Sequence, residues 1–149
     1  MANETPLSAA EMRDLRAFAD LMIPPSKAYG VPGADDDAIF ADIARSLGRD
    51  RDDVGAALKR LVALGGGSFA DLPPARRLEV ANGFRDGGGP PLAAITRVIL
   101  LCYYRDDRVM RSLGQEPRSP FPKGHTVEQG DWSLLDPVKQ RKPFYRRVP

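Results

Sequence analysis

The 149-residue chain has one cysteine, one histidine and one tryptophan. A lone Cys102 leaves no internal disulfide. A lone His125 with no cysteine company leaves no set of the kind that holds zinc or a similar transition metal. No alternating apolar and polar run of useful length appears, which argues against a sheet. The longest apolar run, Val98 to Tyr104, is far short of the roughly 20 residues that a membrane helix needs, so no direct membrane span is expected. Neither a basic stretch leading into an apolar one nor a twin arginine precedes Ser8. As it stands the sequence implies a cytoplasmic chain, or a periplasmic one if another subunit carries the export signal or the signal was removed. Charge of neither sign dominates: 22 basic residues stand against 20 acidic, a net of +2. That near balance carries no global nucleic-acid signature, and nucleic acid is not expected as a partner.

Catalytic motifs are also missing. Gly65-Gly66-Gly67-Ser68 lacks the lysine of a phosphate loop and follows a helix pattern instead of a strand. Asp35-Asp36-Asp37 does not alternate its carboxylates as a calcium loop does; capping at the positive end of a helix dipole explains it better. Asp106-Asp107, flanked by arginines, reads as a solvated charged face. His125, in a Pro-Lys-Gly-His-Thr loop, reads as a polar surface contact. Cys102 reads as a small buried hydrophobe, and Tyr103-Tyr104 as core or interface aromatics. There is no dinucleotide fingerprint and no nucleophile elbow. No catalytic, cofactor-binding or metal-ligating residue is expected in this chain.

What is present is helical period. Ser8-Ala9-Ala10-Glu11 is a capping box, with Leu7 and Met12 at the positions of a hydrophobic staple. Met12, Leu15, Phe18, Ala19 and Met22 then form one helix face, stopped by Pro24-Pro25. A loop over 26–34 follows. Asp35 or Asp36 caps a second helix with Ile39, Phe40, Ile43 and Leu47 inward, ended by Gly48. A third helix is expected from about Arg51 to Leu64, with Val54, Leu58, Leu61 and Val62 as its stripe and the glycine run as its stop. A fourth, from Ala75 to Phe84, turns Leu78, Val80 and Ala81 inward. The fifth, from Leu92 to about Tyr104, is apolar nearly all round in its second half, which places it centrally in the core. A short last helix lies between Arg105 and Leu113. The expected fold is all-α: a small bundle of about five helices over 1–116, followed by a long, extended, irregular C-terminal arm over 117–149 that is not an independent domain.

The arm holds six of the fourteen prolines and also Phe121, Trp132, Leu134, Leu135, Phe144 and Tyr145. Flexible tails are poor in large apolar side chains, so this one is expected to lie across a surface, either its own helical body or a partner protein. Lys139, Arg141, Lys142, Arg146 and Arg147 follow Asp136 with no acid among them. Aromatic residues and arginine are enriched at protein interfaces. Phe121, Trp132, Phe144, Tyr145, Arg146 and Arg147 are therefore the candidate partner-interface residues.

Several segments resemble the gluconate 2-dehydrogenase small-subunit (subunit 3) family. Leu21-Met22-Ile23-Pro24-Pro25 followed by Gly33-Ala34-Asp35 is similar to its N-terminal signature. Phe69, Leu72 and Arg77 resemble its middle segment. Tyr103-Tyr104-Arg105-Asp106 through Val109, then Leu113-Gly114, resembles its closing segment. The resemblance implies a non-catalytic partner of a large dehydrogenase of the glucose–methanol–choline type. That large subunit carries FAD and oxidises a hydroxyl of a sugar, glycoside or sugar acid, and a cytochrome c or another acceptor takes the electrons. The small subunit supports folding of the large one and often carries the twin-arginine export signal, which is not seen here. The competing reading is a stand-alone helical binding module whose basic arm grips an acidic protein or nucleic acid. A small enzyme using His125 or the tyrosines is the remaining alternative.

Overall fold

Ser8 sets the start of the first helix. Its hydroxyl accepts from the Glu11 amide at 3.3 Å, and the Glu11 carboxylate accepts from the Ser8 amide at 2.8 Å. This reciprocal cap opens α1 (Ala9–Met22), with Leu7 and Met12 partly buried beside the core. The computed structural model describes residues 6–142. Among them α1 is followed by α2 (Asp37–Arg45), α3 (Arg51–Gly65), α4 (Pro74–Asp86), α5 (Pro90–Tyr104), α6 (Asp107–Ser112) and α7 (Asp136–Lys139). Short 3₁₀ turns lie at Gly48–Asp50, Phe69–Asp71 and Trp132–Leu135. No strand forms among the described residues; a single bridge joins Ser26 to Val31. The all-α expectation is met.

Two units divide the chain, one ending at Pro117 and the other starting at Arg118. In the first, α3 packs on α5 and α4, α2 packs on α5, and α1 packs on the Phe69–Asp71 turn and α3. The core is apolar: Leu15, Ile43, Leu58, Leu61, Phe69, Phe84, Ile95 and Ile99 are all fully buried. Each such side chain contributes roughly 1.5–3 kcal/mol relative to exposure. Phe18 meets Phe69 at 5.9 Å and Phe84 at 5.8 Å, the second pair edge to face, an arrangement that favours the ring quadrupoles. Arginines close this aromatic cluster from outside. Arg60 lies over Phe84 at 5.4 Å and Arg77 over Phe69 at 5.9 Å. Arg60 also donates to the Gly88 carbonyl at 2.9 Å, tying α3 to the turn between α4 and α5.

Several expected details are corrected. The second helix stops at Arg45 and not at Gly48. The Ser46 amide bonds back to Asp42 and Ile43, and Leu47 enters the core from the turn that follows. In α3 the buried stripe is Val54, Ala57, Leu58 and Leu61, whereas Val62 is exposed. Gly66 ends that helix at φ 77°, a left-handed conformation that only glycine adopts without strain. In α4, Val80 and Phe84 point inward and Leu78 is exposed. At about 100° per residue, Leu78 lies on the far side from Val80, so both cannot face one core. Helix α5 is central, but not on all sides: Leu100, Leu101 and Tyr104 are exposed. Asp106 is not part of a solvated face; its side chain is only 17% exposed and caps α6.

The second unit is mostly irregular, as expected of the arm, but it is not devoid of helix. Asp131 accepts from the Ser133 amide at 3.0 Å, and Pro137 lies in the first turn of α7, where it loses no hydrogen bond. Such a short element leaves no readable period.

One buried polar residue also holds the body. Asp14 is 3% exposed; its carboxylate accepts from the Ser68 hydroxyl at 2.6 Å and the Ala70 amide at 2.9 Å. Replacing Asp14 with alanine strands that amide and is expected to destabilise the protein by about 1–3 kcal/mol. Replacing Phe84 with alanine opens a cavity inside the aromatic cluster, with an expected loss of about 3–5 kcal/mol. Urea denaturation followed by circular dichroism measures both.

Candidate functional site

The loop between α1 and α2 is closed by its own backbone and held by side chains of α1, α5 and α6. Proline at 24 and 25 cannot extend α1, and the Ile23 amide closes the helix on the Ala19 carbonyl at 2.9 Å. Ser26 and Val31 exchange two backbone bonds, at 3.0 and 3.1 Å, and the Ala34 amide returns to the Ile23 carbonyl at 2.9 Å. The result is a small closed loop with Ala34 fully buried at its base. Gly33 has no room for a side chain: a Cβ there would lie 2.6 Å from the Asp35 carboxylate and 3.0 Å from the Pro25 nitrogen.

Helices α5 and α6 clamp this loop. The buried Tyr103 hydroxyl donates to the Pro32 carbonyl at 3.2 Å, and burial pushes its pKa up. Arg16 of α1 donates to the Asp35 carbonyl at 3.0 and 2.7 Å and pairs with Asp37. Arg108 of α6 bridges Asp36, at 2.7 Å, and Asp106, at 3.0 Å. Both of those aspartates are also helix caps, Asp36 for α2 and Asp106 for α6. Arg108 holds the carboxyl groups of Asp36 and Asp106 below their ordinary range. The two carboxylates in turn raise the pKa of Arg108. A parallel pair lies nearby: Arg105 donates to Asp42 and lowers its pKa.

Phe69, Leu72 and Arg77 come together as well. Arg77 covers Phe69 and donates to the carbonyls of Ala70, at 2.7 Å, and Leu72, at 3.3 Å. Tyr104 is exposed against the edge of Tyr103. Leu113 is exposed, and Gly114 turns the chain out of α6. Pro24 and Pro25 are exposed beside the half-buried Ile23. Cys102 is buried, as expected, and burial raises its thiol pKa.

This arrangement is built to hold shape. Its carboxylates face arginines and helix amides, and no group of three or more metal-ligating side chains gathers among the described residues. The apolar features of the surface lie elsewhere. A groove of about 260 Å³ runs between α1, α4 and α5, lined by Phe18, Leu21, Met22, Leu78, Ala81 and Leu92. On the arm, Phe121 is 87% and Trp132 63% exposed. Phe144, Tyr145, Arg146 and Arg147, the other candidate interface residues, lie outside the described residues.

Sequence reasoning missed Asp14, Arg77 and Arg108 as ties. Asp14 carried a signal: it lies one turn before Phe18 on the inward face of α1. Arg108 had no comparable signal, because Asp36 is far from it in sequence, and Arg77 had none because its acceptors are backbone carbonyls, which no residue type marks. Comparison of the chain with family models, curated proteins and solved structures returns no match.

The clamp makes stability depend on pH. Asp36 and Asp106 release their protons more readily in the folded than in the unfolded chain. The stability this contributes is present above the ordinary carboxylate pKa near 4 and is lost as pH falls through the lower folded-state values. Arg108→Ala is therefore expected to be less stable than wild type at about pH 7, with the difference shrinking below about pH 4. Urea midpoints across that range read it out.

Proposed function

We propose that this chain is the non-catalytic small subunit of an FAD-dependent dehydrogenase of the glucose–methanol–choline type, acting on a sugar, glycoside or sugar acid. The FAD belongs to the large subunit, with a cytochrome c or another acceptor downstream, and this chain supports the large subunit's fold. The observation that carries the reading is the exposure of large apolar side chains along the arm, Phe121, Trp132 and Leu134 above all. Water gains nothing from such groups, whereas burying each against a partner contributes roughly 1.5–3 kcal/mol before ordering costs. Stable obligate interfaces reach about 2,000 Å² or more, and a segment of this length, at roughly 3.3 Å per extended residue, can cover much of that.

The resemblance supports the same reading. Its first and last segments, Leu21 to Pro25 with Gly33 to Asp35, and Tyr103 to Val109, are far apart in the chain, yet the residues flanking Gly33–Asp35 are held by the last one, Pro32 by Tyr103 and Asp36 by Arg108. Within this reading the clamp gives the small subunit one fixed shape to present to a partner.

Co-expression with a large flavoprotein subunit of that type, with an affinity tag on this chain only, is expected to yield a yellow two-polypeptide complex with flavin absorption and sugar-dependent dye reduction. Recovery of this chain from that co-expression with no second polypeptide sinks the proposal, and salt-sensitive binding of the chain to DNA or RNA favours the stand-alone module instead.

A further inference from the structure

The ordered element of the arm is two-sided. At three residues per 3₁₀ turn, Trp132 and Leu135 project the same way. Val138, three residues past Leu135 and four past Leu134, continues that side into α7. These four side chains are exposed, at 63% for Trp132, 74% for Leu134, 42% for Leu135 and 53% for Val138. The polar side is tied internally. Asp131 accepts from the Ser133 hydroxyl at 2.6 Å, and Lys139 pairs with Asp136 at 3.0 Å. Both acids of the segment are thereby engaged, one as a cap and one in an ion pair. Arg141 and Lys142 follow, both exposed, and no acid occurs after Asp136. An apolar ridge is therefore followed in the sequence by basic residues with no further acidic side chain.

Helices this short are marginal in water on their own. A capped turn that displays an apolar ridge has the form of a helix that docks in a groove. We infer that Trp132–Lys139 is a preformed docking element that seats ridge-first in an apolar groove of the flavin-bearing subunit. Trp132 is the anchor, and carboxylates on the groove rim meet Arg141 and Lys142. The inference rests on the accessory-subunit reading and specifies how the arm is recognised. Tryptophan is enriched among the residues that dominate binding energy, and complementary charge at a rim speeds encounter and fixes register.

Trp132 is the chain's only tryptophan, so biosynthetic incorporation of 5-fluorotryptophan gives a single fluorine resonance from the full chain. Titration with the purified large subunit is expected to shift that resonance and remove its sensitivity to solvent deuterium. Trp132→Ala and Leu135→Ala are each expected to weaken association by roughly thirtyfold, with Gln140→Ala unchanged and added salt weakening the wild type. Circular dichroism verifies that each variant retains its helices. A complex that forms equally tightly with both apolar variants overturns the docking element and leaves the accessory-subunit reading standing. Failure of the wild type to associate at all removes that reading and this one with it. A fluorine response to vesicles of anionic phospholipid but not to the large subunit assigns the ridge to a membrane surface and overturns the groove.

Discussion

The body depends on the contact that Phe18 makes with two other rings. Phe18 leaves α1 and meets Phe69 in the 3₁₀ turn and Phe84 near the end of α4. Three segments distant in sequence are joined by one cluster whose edges and faces complement one another. Asp14, one turn earlier on α1, fixes the same turn by hydrogen bonds to Ser68 and Ala70. Apolar contact brings α1 to this position, and the carboxylate sets its register. With α1 placed, its C-terminal end starts the loop whose Pro32 carbonyl accepts from Tyr103 of α5.

Arginine is the second recurring device. Isolated ion pairs on a surface contribute little, because water screens them and two long side chains must be ordered. Here the carboxylates already have another task. Asp36 and Asp106 cap helices, and Arg108 joins the two caps. One guanidinium therefore couples the starts of α2 and α6, and its planar fork suits two acceptors better than a lysine ammonium would. Arg16 likewise secures the backbone of Asp35 just ahead of α2. A loop that looks like a mere connector in sequence becomes a fixed part of the body.

Much of the body was legible because its signals are local. The Ser8 capping box, the Asp36 cap and the glycine stop after α3 depend on neighbours within four residues. The misplaced side chains share a cause. Leu78, Val62 and Leu101 are apolar residues at the edge of or behind a helix's inward stripe, and hydrophobicity alone does not say which side has a neighbour. The clamp was only half legible: the resemblance singled out Ile23, Gly33, Ala34 and Tyr103, but nothing in their spacing paired Tyr103 with Pro32. The helical turn in the arm was invisible for a different reason. Eight residues across two helix types are too few to establish a period, and its cap, Asp131, is as common in loops as at helix starts.

The glycine run after α4 has a role beyond breaking the helix. The Arg60 guanidinium occupies the space above Gly87, so close that a Cβ would overlap its terminal nitrogen. From there it reaches the Gly88 carbonyl and lies over the Phe84 ring. A methyl group at this spot would not clash with anything rigid, since a long side chain can swing away. It would instead evict the guanidinium from its slot, so the ring would lose its roof and α3 its hook on the turn in a single step. Gly87 is in this sense a socket, and the bareness of its backbone is what lets a distant helix plug in.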